Sequence, residues 1–426
     1  MKPITSVSTF LLLLGAAYWA FLASTPPYRE DSGKPESEFS TDRAMVHAEN
    51  ISEEPHAVGF AAHKKAKEYV IRSLEGMGLS PQVQSGYTAG DWGNLSRAEN
   101  ILVRIPGSAS TGALLLLSHY DSNPHSSYGA SDAGSGVATI LEGLRAFLSR
   151  GQAPKNDLII LISDAEELGL NGADLFVNTH PWVRDVGLVL NFEARGSGGP
   201  SYMFVETNRG NARMIEAFTE ADPDFPVANS LVYSIYKMLP NDTDLTVFRE
   251  DADIEGFNFA FIDDHYDYHT ALDTAPRLDR ESLAHQGAYL MPLLTYFSQA
   301  DLSNLKSLNE HVYFNVPLFK LVSYPFEWIW PMMVLAGFLF LLVLSYGIRK
   351  GRLKFKGMAK GALAMLLALL IAGIAGYVAW PLLNLLYPAY QDMLHGFTYN
   401  GYLYIGAFSS LCFGACFWVY SRFRKT

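Results

Sequence analysis

Cysteine is almost missing from this chain of 426 residues. There are two, Cys412 and Cys416, both inside an apolar stretch near the C-terminus. The preceding residues therefore hold no disulfide, and a metal site of four cysteines is excluded. If the middle of the chain lies outside the cytoplasm, it is stable without staples, which its size permits. Basic clusters are missing from the middle as well. With 32 Lys and Arg against 43 Asp and Glu, the net charge is −11, which argues against a nucleic-acid partner. No internal repeat or low-complexity segment stands out. What the chain has is apolar residues, 49% of the total, and they concentrate at its two ends. The length exceeds one compact core, so a domain plus something else is expected.

Residues 8–23 are almost continuously apolar after Lys2. They read as a cleavable signal or a retained anchor, and with their flanks they approach the ~20 residues that span a bilayer. Three further spans are expected at 326–348, 362–383 and 402–420. Between the first two of these lie Arg349, Lys350, Arg352, Lys354, Lys356 and Lys360 with no acid, and the tail carries Arg422, Arg424 and Lys425. The loop 384–400 has no Lys or Arg. The positive-inside rule then puts both termini and the basic loop in the cytoplasm and the segment after the first span outside. The expected domains are an anchor or signal (1–24), a flexible tether rich in Pro, Ser and charge (25–42), an extracytoplasmic domain (43–303), a three-span membrane domain (326–420) and a cytoplasmic tail (421–426). The sequons at Asn50, Asn94 and Asn241 matter only in a glycosylating compartment.

The middle alternates strands and helices. Helices are expected at 61–75, 133–148, 172–178, 211–221 and 279–297, and strands at 100–105, 113–118, 157–163, 187–192 and 257–262. Several of the strands are continuous apolar runs, as in strands buried on both faces. The predicted fold is α/β: a mostly parallel central sheet flanked by helices, plus an N-terminal and three C-terminal transmembrane helices.

Chemistry-bearing residues follow the buried strands. His119, Tyr120 and Asp121 follow one; Asp164, Ala165, Glu166 and Glu167 follow the next; Glu193 ends a third; Tyr268 and His269 come after a fourth, and Asp132 stands before a helix. Loops after the carboxyl ends of parallel strands form one crevice, so these groups can converge. Converging carboxylates need a cation. Two Zn2+ ions sharing a carboxylate and a water-derived nucleophile supply it. With Asp132 as the bridge, His119 and Glu193 complete one ion, and Glu167 and His269 the other. Glu166 is then the general base. Asp121 sits behind His119 and holds its ring, and Tyr268 donates to the oxyanion. Taken singly, each has a plain structural explanation: Asp132 as an N-cap, the Glu pair as a solvated turn, Tyr268 as packing. Together, at successive strand ends, those explanations fail. His125, His265, His285, Asp164, Asp263 and Asp264 are read as structural.

The segments His119-Tyr-Asp121, Gly129-Ala-Ser-Asp132-Ala-Gly-Ser-Gly136, Asp164-Ala-Glu166-Glu167-Leu-Gly-Leu-Asn-Gly172, Asn191-Phe-Glu193-Ala-Arg-Gly196 and Tyr268-His269-Thr270 resemble the M28 family of metallopeptidases over roughly residues 46–300. The resemblance implies His119, Asp132, Glu167, Glu193 and His269 as zinc ligands and Glu166 as base, in agreement with the spacing. Family members commonly have Asp where Glu193 stands. Glu followed by Ala-Arg-Gly, and Asn241-Asp-Thr-Asp244, are similar to the membrane-bound branch of endoplasmic-reticulum and vacuolar proteases. The small number of C-terminal spans departs from that branch.

The expected function is a membrane-anchored aminopeptidase acting on peptides outside the cytoplasm, with the lipid bilayer as its other partner. A bacterial inner membrane with the domain in the periplasm is expected, or an organelle lumen in a eukaryote. The alternatives are a transferase resembling glutaminyl cyclases, which share the fold, and a non-catalytic, receptor-like binding domain. The C-terminal spans carry few ionisable residues, which favours anchoring over transport.

Overall fold

The computed structural model describes residues 3–31, 33–90, 92–239, 242–393 and 395–425. Asn241, with its sequon, lies outside them. The chain forms two compact units, residues 1–326 and 327–426.

The first unit opens with α1 (Pro3–Leu22), apolar over Val7–Ala20. Then come α2 (Thr41–Ile51), α3 (Ala61–Gly76), β1 (Gln82–Thr88), β2 (Ser96–Ile105) and β3 (Ala113–His119). Next are α4 (Gly134–Ser149), β4 (Leu158–Ser163), α5 (Glu166–Gly169), α6 (Asn171–Thr179), β5 (Val186–Ala194) and β6 (Gly198–Glu206). The unit continues with α7 (Ala212–Ala221), α8 (Ser230–Tyr236), α9 (Asp244–Ala252), β7 (Gly256–Asp263) and α10 (Arg280–Phe297), and closes with the hairpin β8 (His311–Val316) and β9 (Lys320–Pro325).

Seven strands form one sheet in the order β1-β2-β4-β3-β5-β7-β6. The central four are parallel, and the pairings outside them are antiparallel. The apolar runs explain the centre. Along β3, Leu114 and Leu116 enter the core on one face with α4 and α10, while Leu115 and Leu117 enter the opposite core with α6 and α9. All four leucines are fully buried, each contributing about 1.5–3 kcal/mol before entropy is counted. Gly136 shows how closely α4 lies on the sheet: a Cβ there would sit 2.2 Å from the carbonyl oxygen of Phe192.

The end of the 25–42 segment is not free. Asp31 accepts hydrogen bonds from Ser40 Oγ (2.8 Å) and from the amides of Thr41 and Asp42 (both 3.0 Å). Ser40 caps α2, and its amide donates to the buried Glu142 (2.9 Å). Composition signalled a flexible tether, but these bonds hold Asp31, Ser40, Thr41 and Asp42 in place. The first unit also runs past residue 303, through β8 and β9.

The second unit contains α11 (Ile329–Arg349), α12 (Phe355–Leu386) and α13 (Gly401–Lys425). Three helical stretches, Phe326–Arg349, Phe355–Leu386 and Gly401–Arg424, are long and apolar enough to cross a membrane. The second is longer than hydropathy suggested because Lys356, Met358, Ala359 and Lys360 are good helix formers that extend it without being apolar. α12 and α13 pack through Ala364 and Ala368, small side chains that let helix backbones approach, against Val419.

Candidate active site

His119 is the last residue of β3, Glu193 lies at the end of β5, and Glu166 and Glu167 open α5 just beyond β4. Asp132 precedes α4, whose N-cap is Ala133 without a side-chain cap. The carboxylate of Asp132 is therefore not spent on capping. It is aimed into the crevice, with Oδ1 3.3 Å from His119 Nε2 and Oδ2 3.1 Å from His269 Nε2. His269 holds a positive φ of 57°, a sparsely populated conformation for a non-glycine residue. His119 Nε2 also faces Glu193 Oε2 at 3.4 Å and Glu166 Oε2 at 3.9 Å, and His269 Nε2 faces Glu167 Oε2 at 3.1 Å.

The tautomer of His119 follows from its other nitrogen. Nδ1 lies 3.0 Å from the carbonyl oxygen of Asp121, which only accepts, so Nδ1 carries the proton and Nε2 presents a lone pair toward the carboxylates. A cation there satisfies both. Without one, the rings must take up protons. Burial alone lowers the pKa of His119, but the carboxylates of Glu193 and Glu166 more than reverse this and raise it well above the ordinary range. His269 is likewise disfavoured as a cation by burial, yet Glu167 and Asp132 push it up to about 10. Burial acts to raise Asp132, and the two histidines overcome it, holding its carboxyl below the usual range. Glu166 is pushed well above that range by burial, opposed by His119 and reinforced by Glu193 and Glu167.

The donors fit zinc. Two groups bring one atom from each member within 4.8 Å of one another: His119, Glu166 and Glu193, and Asp132, Glu167 and His269. They are nitrogen and carboxylate oxygen without sulfur, a set zinc accepts. The second oxygen of Glu167, Oε1, is buried with no hydrogen-bond partner among the described residues, a costly state that a bound cation relieves.

Several supporting residues escaped the sequence reading. Asp121 does more than sit behind His119. Its two carboxylate oxygens accept from the amides of Glu166 (3.1 Å) and Glu167 (3.3 Å), which pins the turn after the left-handed Ala165. Asn123 Nδ2 donates to Glu167 Oε2 (2.8 Å), and Asn191 Nδ2 to Glu193 Oε1 (3.2 Å). Asp273 accepts from the amides of Ser131 (2.7 Å) and Asp132 (3.1 Å). Asp244 accepts from Ser163 Oγ below the site, and burial raises it to about 7. An Asn or Asp off the strand ends carries no signal of its own in one sequence. Asn191 and Asp244 lay in motifs the family resemblance had marked, without a role assigned to either.

Tyr268 stacks on His269 with ring centroids 3.6 Å apart, and the guanidinium of Arg195 sits 5.2 Å from its ring centre. His265 stacks on the same tyrosine. Asp164 instead accepts from His63 Nε2 (2.7 Å) and from the amide of Glu99 (2.8 Å). His285 lies on α10 with both ring nitrogens bonded to backbone, at Ser201 and Phe225. His125 bonds Asn123. Beside Glu166 and Glu193 opens a cavity of about 410 Å³, walled by Phe204, Val232, Ile235, Tyr236, Leu239 and Tyr268.

Residues 100–294 match the model of Peptidase family M28. The chain is 27% identical over 420 residues to a vacuolar membrane protease of Candida tropicalis, covering 92% of this chain and 44% of that protein. It is 30% identical over 232 residues to endoplasmic reticulum metallopeptidase 1 of Homo sapiens, covering 53% of this chain and 25% of that one. The chain spans less than half the length of these curated relatives. Among solved structures, a Zn-dependent exopeptidase from Parabacteroides distasonis has a TM-score of 0.50 at 22% identity, covering 62% of this chain and 99% of that one. An aminopeptidase from Aneurinibacillus sp. strain AM-1 has a TM-score of 0.50 at 13% identity, covering 64% and 97%. These two show the fold. Residues 100–294 thus match a peptidase domain of family M28, and helices of membrane-spanning length follow them.

Proposed function

We propose that this chain is a membrane-bound aminopeptidase with two zinc ions. The observation that carries the proposal is Asp132, which offers one carboxylate oxygen to each of two histidines. His119 and Glu193 would hold one ion, Glu167 and His269 the other, and Asp132 both. When bound, zinc polarises a peptide carbonyl and makes water acidic enough to attack near neutral pH.

The chain's own groups supply the rest. Glu166 is buried, more basic than an ordinary glutamate, and fixed through its amide by Asp121. It suits taking a proton from water and returning it to the leaving amine. Burial, foremost, holds the Tyr268 phenol well above its ordinary pKa, so it stays protonated and can donate to a developing oxyanion. The carboxylate-rich crevice attracts the free amine of a peptide. The apolar cavity beside Glu166 favours a large apolar side chain at the residue removed. Basic residues at 349–360 and 422–425 support cytoplasmic termini and an outside catalytic domain, in a bacterial inner membrane facing the periplasm or in an organelle facing its lumen.

Metal content and hydrolysis of aminoacyl-nitroanilides test this in the detergent-solubilised chain. Two zincs per chain are expected. Glu166→Gln should lose about 10²–10⁴-fold in turnover with metal retained. Full activity in that variant removes the role of Glu166. Cyclisation of N-terminal glutamine without hydrolysis points to a transferase, and absence of both metal and turnover to a binding domain.

A further inference from the structure

The β8–β9 hairpin has two apolar faces: one packs on the core, and on the other Phe314 is exposed while Val312, Val316, Val322 and Tyr324 are half-buried. Directly opposed residues on paired strands share a face. The pairs Tyr313↔Ser323 and Asn315↔Leu321 lie on one side. From that side Tyr313 is buried in the main core and Leu321 packs against it. The pairs Val312↔Tyr324 and Phe314↔Val322, and Val316 opposite Lys320, lie on the other side. Val312, Phe314, Val316, Val322 and Tyr324 thus form a second apolar face. Phe314 on it is 37% exposed and meets Tyr324 edge-on at 6.5 Å. The turn adds Leu318 and Phe319, 83% and 72% exposed. A single exposed apolar residue is ordinary, and a contiguous patch marks an interaction surface. A ribbon with one face on the core normally turns a polar face to water.

The chain's course says what covers this face. Pro325 ends β9, and the stretch Phe326–Arg349, long and apolar enough to span a bilayer, follows at once. Continuity therefore puts the base of the hairpin at the membrane surface. Trp328 and Trp330 at that point are aromatic residues of the type enriched at headgroup depth. The opposite end shares a cleft with the end of an apolar helix. Pro317, Leu318 and Lys320 line a cleft of about 190 Å³ together with Ala20, Ala23 and Ser24, at the end of α1. Six residues per strand separate the two ends, about 20 Å. A rigid ribbon held at the membrane at both ends lies along it. At the turn, Lys320 Nζ pairs with Asp222 (2.8 Å) and Asp224 (2.9 Å) beyond the end of α7.

We propose that the outer face of the β8–β9 hairpin docks on the lipid bilayer, with Leu318 and Phe319 entering the boundary between headgroups and acyl chains. This rests on reading α1 and 326–349 as membrane helices, and is independent of the assignment of Glu166 or of the ions.

The test uses the full chain with Cys412→Ser and Cys416→Ser, reconstituted in phosphatidylethanolamine–phosphatidylglycerol vesicles. A polarity-sensitive fluorophore is attached at Leu318→Cys or Phe319→Cys. Tyr87→Cys on β1, at the far edge of the sheet and 74% exposed, is the reference. Docking predicts a blue shift and loss of emission with nitroxide-labelled lipid at 318 and 319, both larger than at 87, and protection from a water-soluble quencher. Emission at 318 and 319 matching that at 87 overturns the proposal. So does disulfide crosslinking between copies at 318 in place of lipid quenching, which assigns the face to a second chain. Alkaline extraction and aminoacyl-nitroanilide turnover are read on the same vesicles. Release of the chain by alkali overturns the membrane premise and the docking with it. Loss of turnover with lipid quenching intact overturns the catalytic reading alone.

Discussion

The two units treat charge and burial in opposite ways. In the first, five carboxylates and two histidines crowd into the strand-end crevice, among them Asp132, Glu166, Glu167 and Glu193, all buried. In the second, ionisable groups sit mainly at helix ends and in the connecting segments, and large apolar side chains such as Leu366, Leu369 and Phe413 are exposed. Neither arrangement suits a chain surrounded only by protein and water. Buried anions call for cations, and exposed leucines along whole helices call for a solvent that accepts them. The two units therefore differ in what would compensate them: a cation beside the buried carboxylates of the first, an apolar solvent around the exposed leucines of the second.

Removing the shared carboxylate should break the first unit's arrangement most severely. Asp132→Ala is expected to lose both ions and to bring peptidase turnover to background, read by metal analysis and nitroanilide hydrolysis. One ion retained at unchanged affinity would show that Asp132 does not bridge. For the second unit, Leu369→Asp near the middle of α12 should cost about 2.5–3.5 kcal/mol if its surroundings are lipid. The fraction of chain resisting alkaline extraction measures this. A change within about 0.5 kcal/mol would mean the residue faces water.

Acid should weaken the first unit through a histidine away from the crevice. Burial lowers His285 from its ordinary 6.5 to about 4, against a backbone bond at Phe225. Folded His285 stays neutral while the unfolded chain takes up a proton below pH 6.5. The stability it contributes is complete above that pH and falls as pH drops toward 4, by about 1.4 kcal/mol per unit and about 3 kcal/mol in all. Thermal unfolding between pH 7 and 4 should show a shallower pH slope for His285→Asn than for the unmodified chain. An equal slope would mean that the ring is protonated in the fold. The smallest effect is expected at Asn123→Ala, which frees one oxygen of Glu167. Metal affinity should fall by about 10–100-fold, measured by competition with a chelator, and an unchanged affinity would make Asn123 dispensable.

The central sheet was readable because β3, β4, β5 and β7 are buried on both faces: β3 and β4 appear as apolar runs, and β5 and β7 as runs interrupted by Asn191 and Asn258. The edges were not. β1 (Gln82–Thr88) alternates Val83 and Tyr87 with polar residues, and both are exposed, so no apolar run marks it. β6 begins at Gly198-Gly199-Pro200, which reads as a turn. β8 and β9 are short strands beside a span and merge with its hydropathy. The groups that converge at strand ends were legible because position along a parallel sheet predicts a common crevice. Asn123, Asn191 and Asp273 act through backbone amides and carboxylate oxygens whose direction only the folded chain defines. Asp121 shows the boundary well: its neighbourhood to His119 followed from the sequence, while its hold on the amides of Glu166 and Glu167 did not.

The strand order also sets a timetable. β4 separates β2 from β3, so residues 96–119 cannot complete their sheet until residue 163 has been made. The crevice waits longer still: His119, Asp132, Glu167 and Glu193 all precede the second imidazole, His269. A nascent chain grows at about 5–20 residues per second. For several seconds, therefore, it carries the anionic half of the crevice with one imidazole only. Productive closure is deferred until nearly the whole peptidase domain has left the ribosome, and a fragment ending before residue 269 lacks a member of the site however well its sheet has formed.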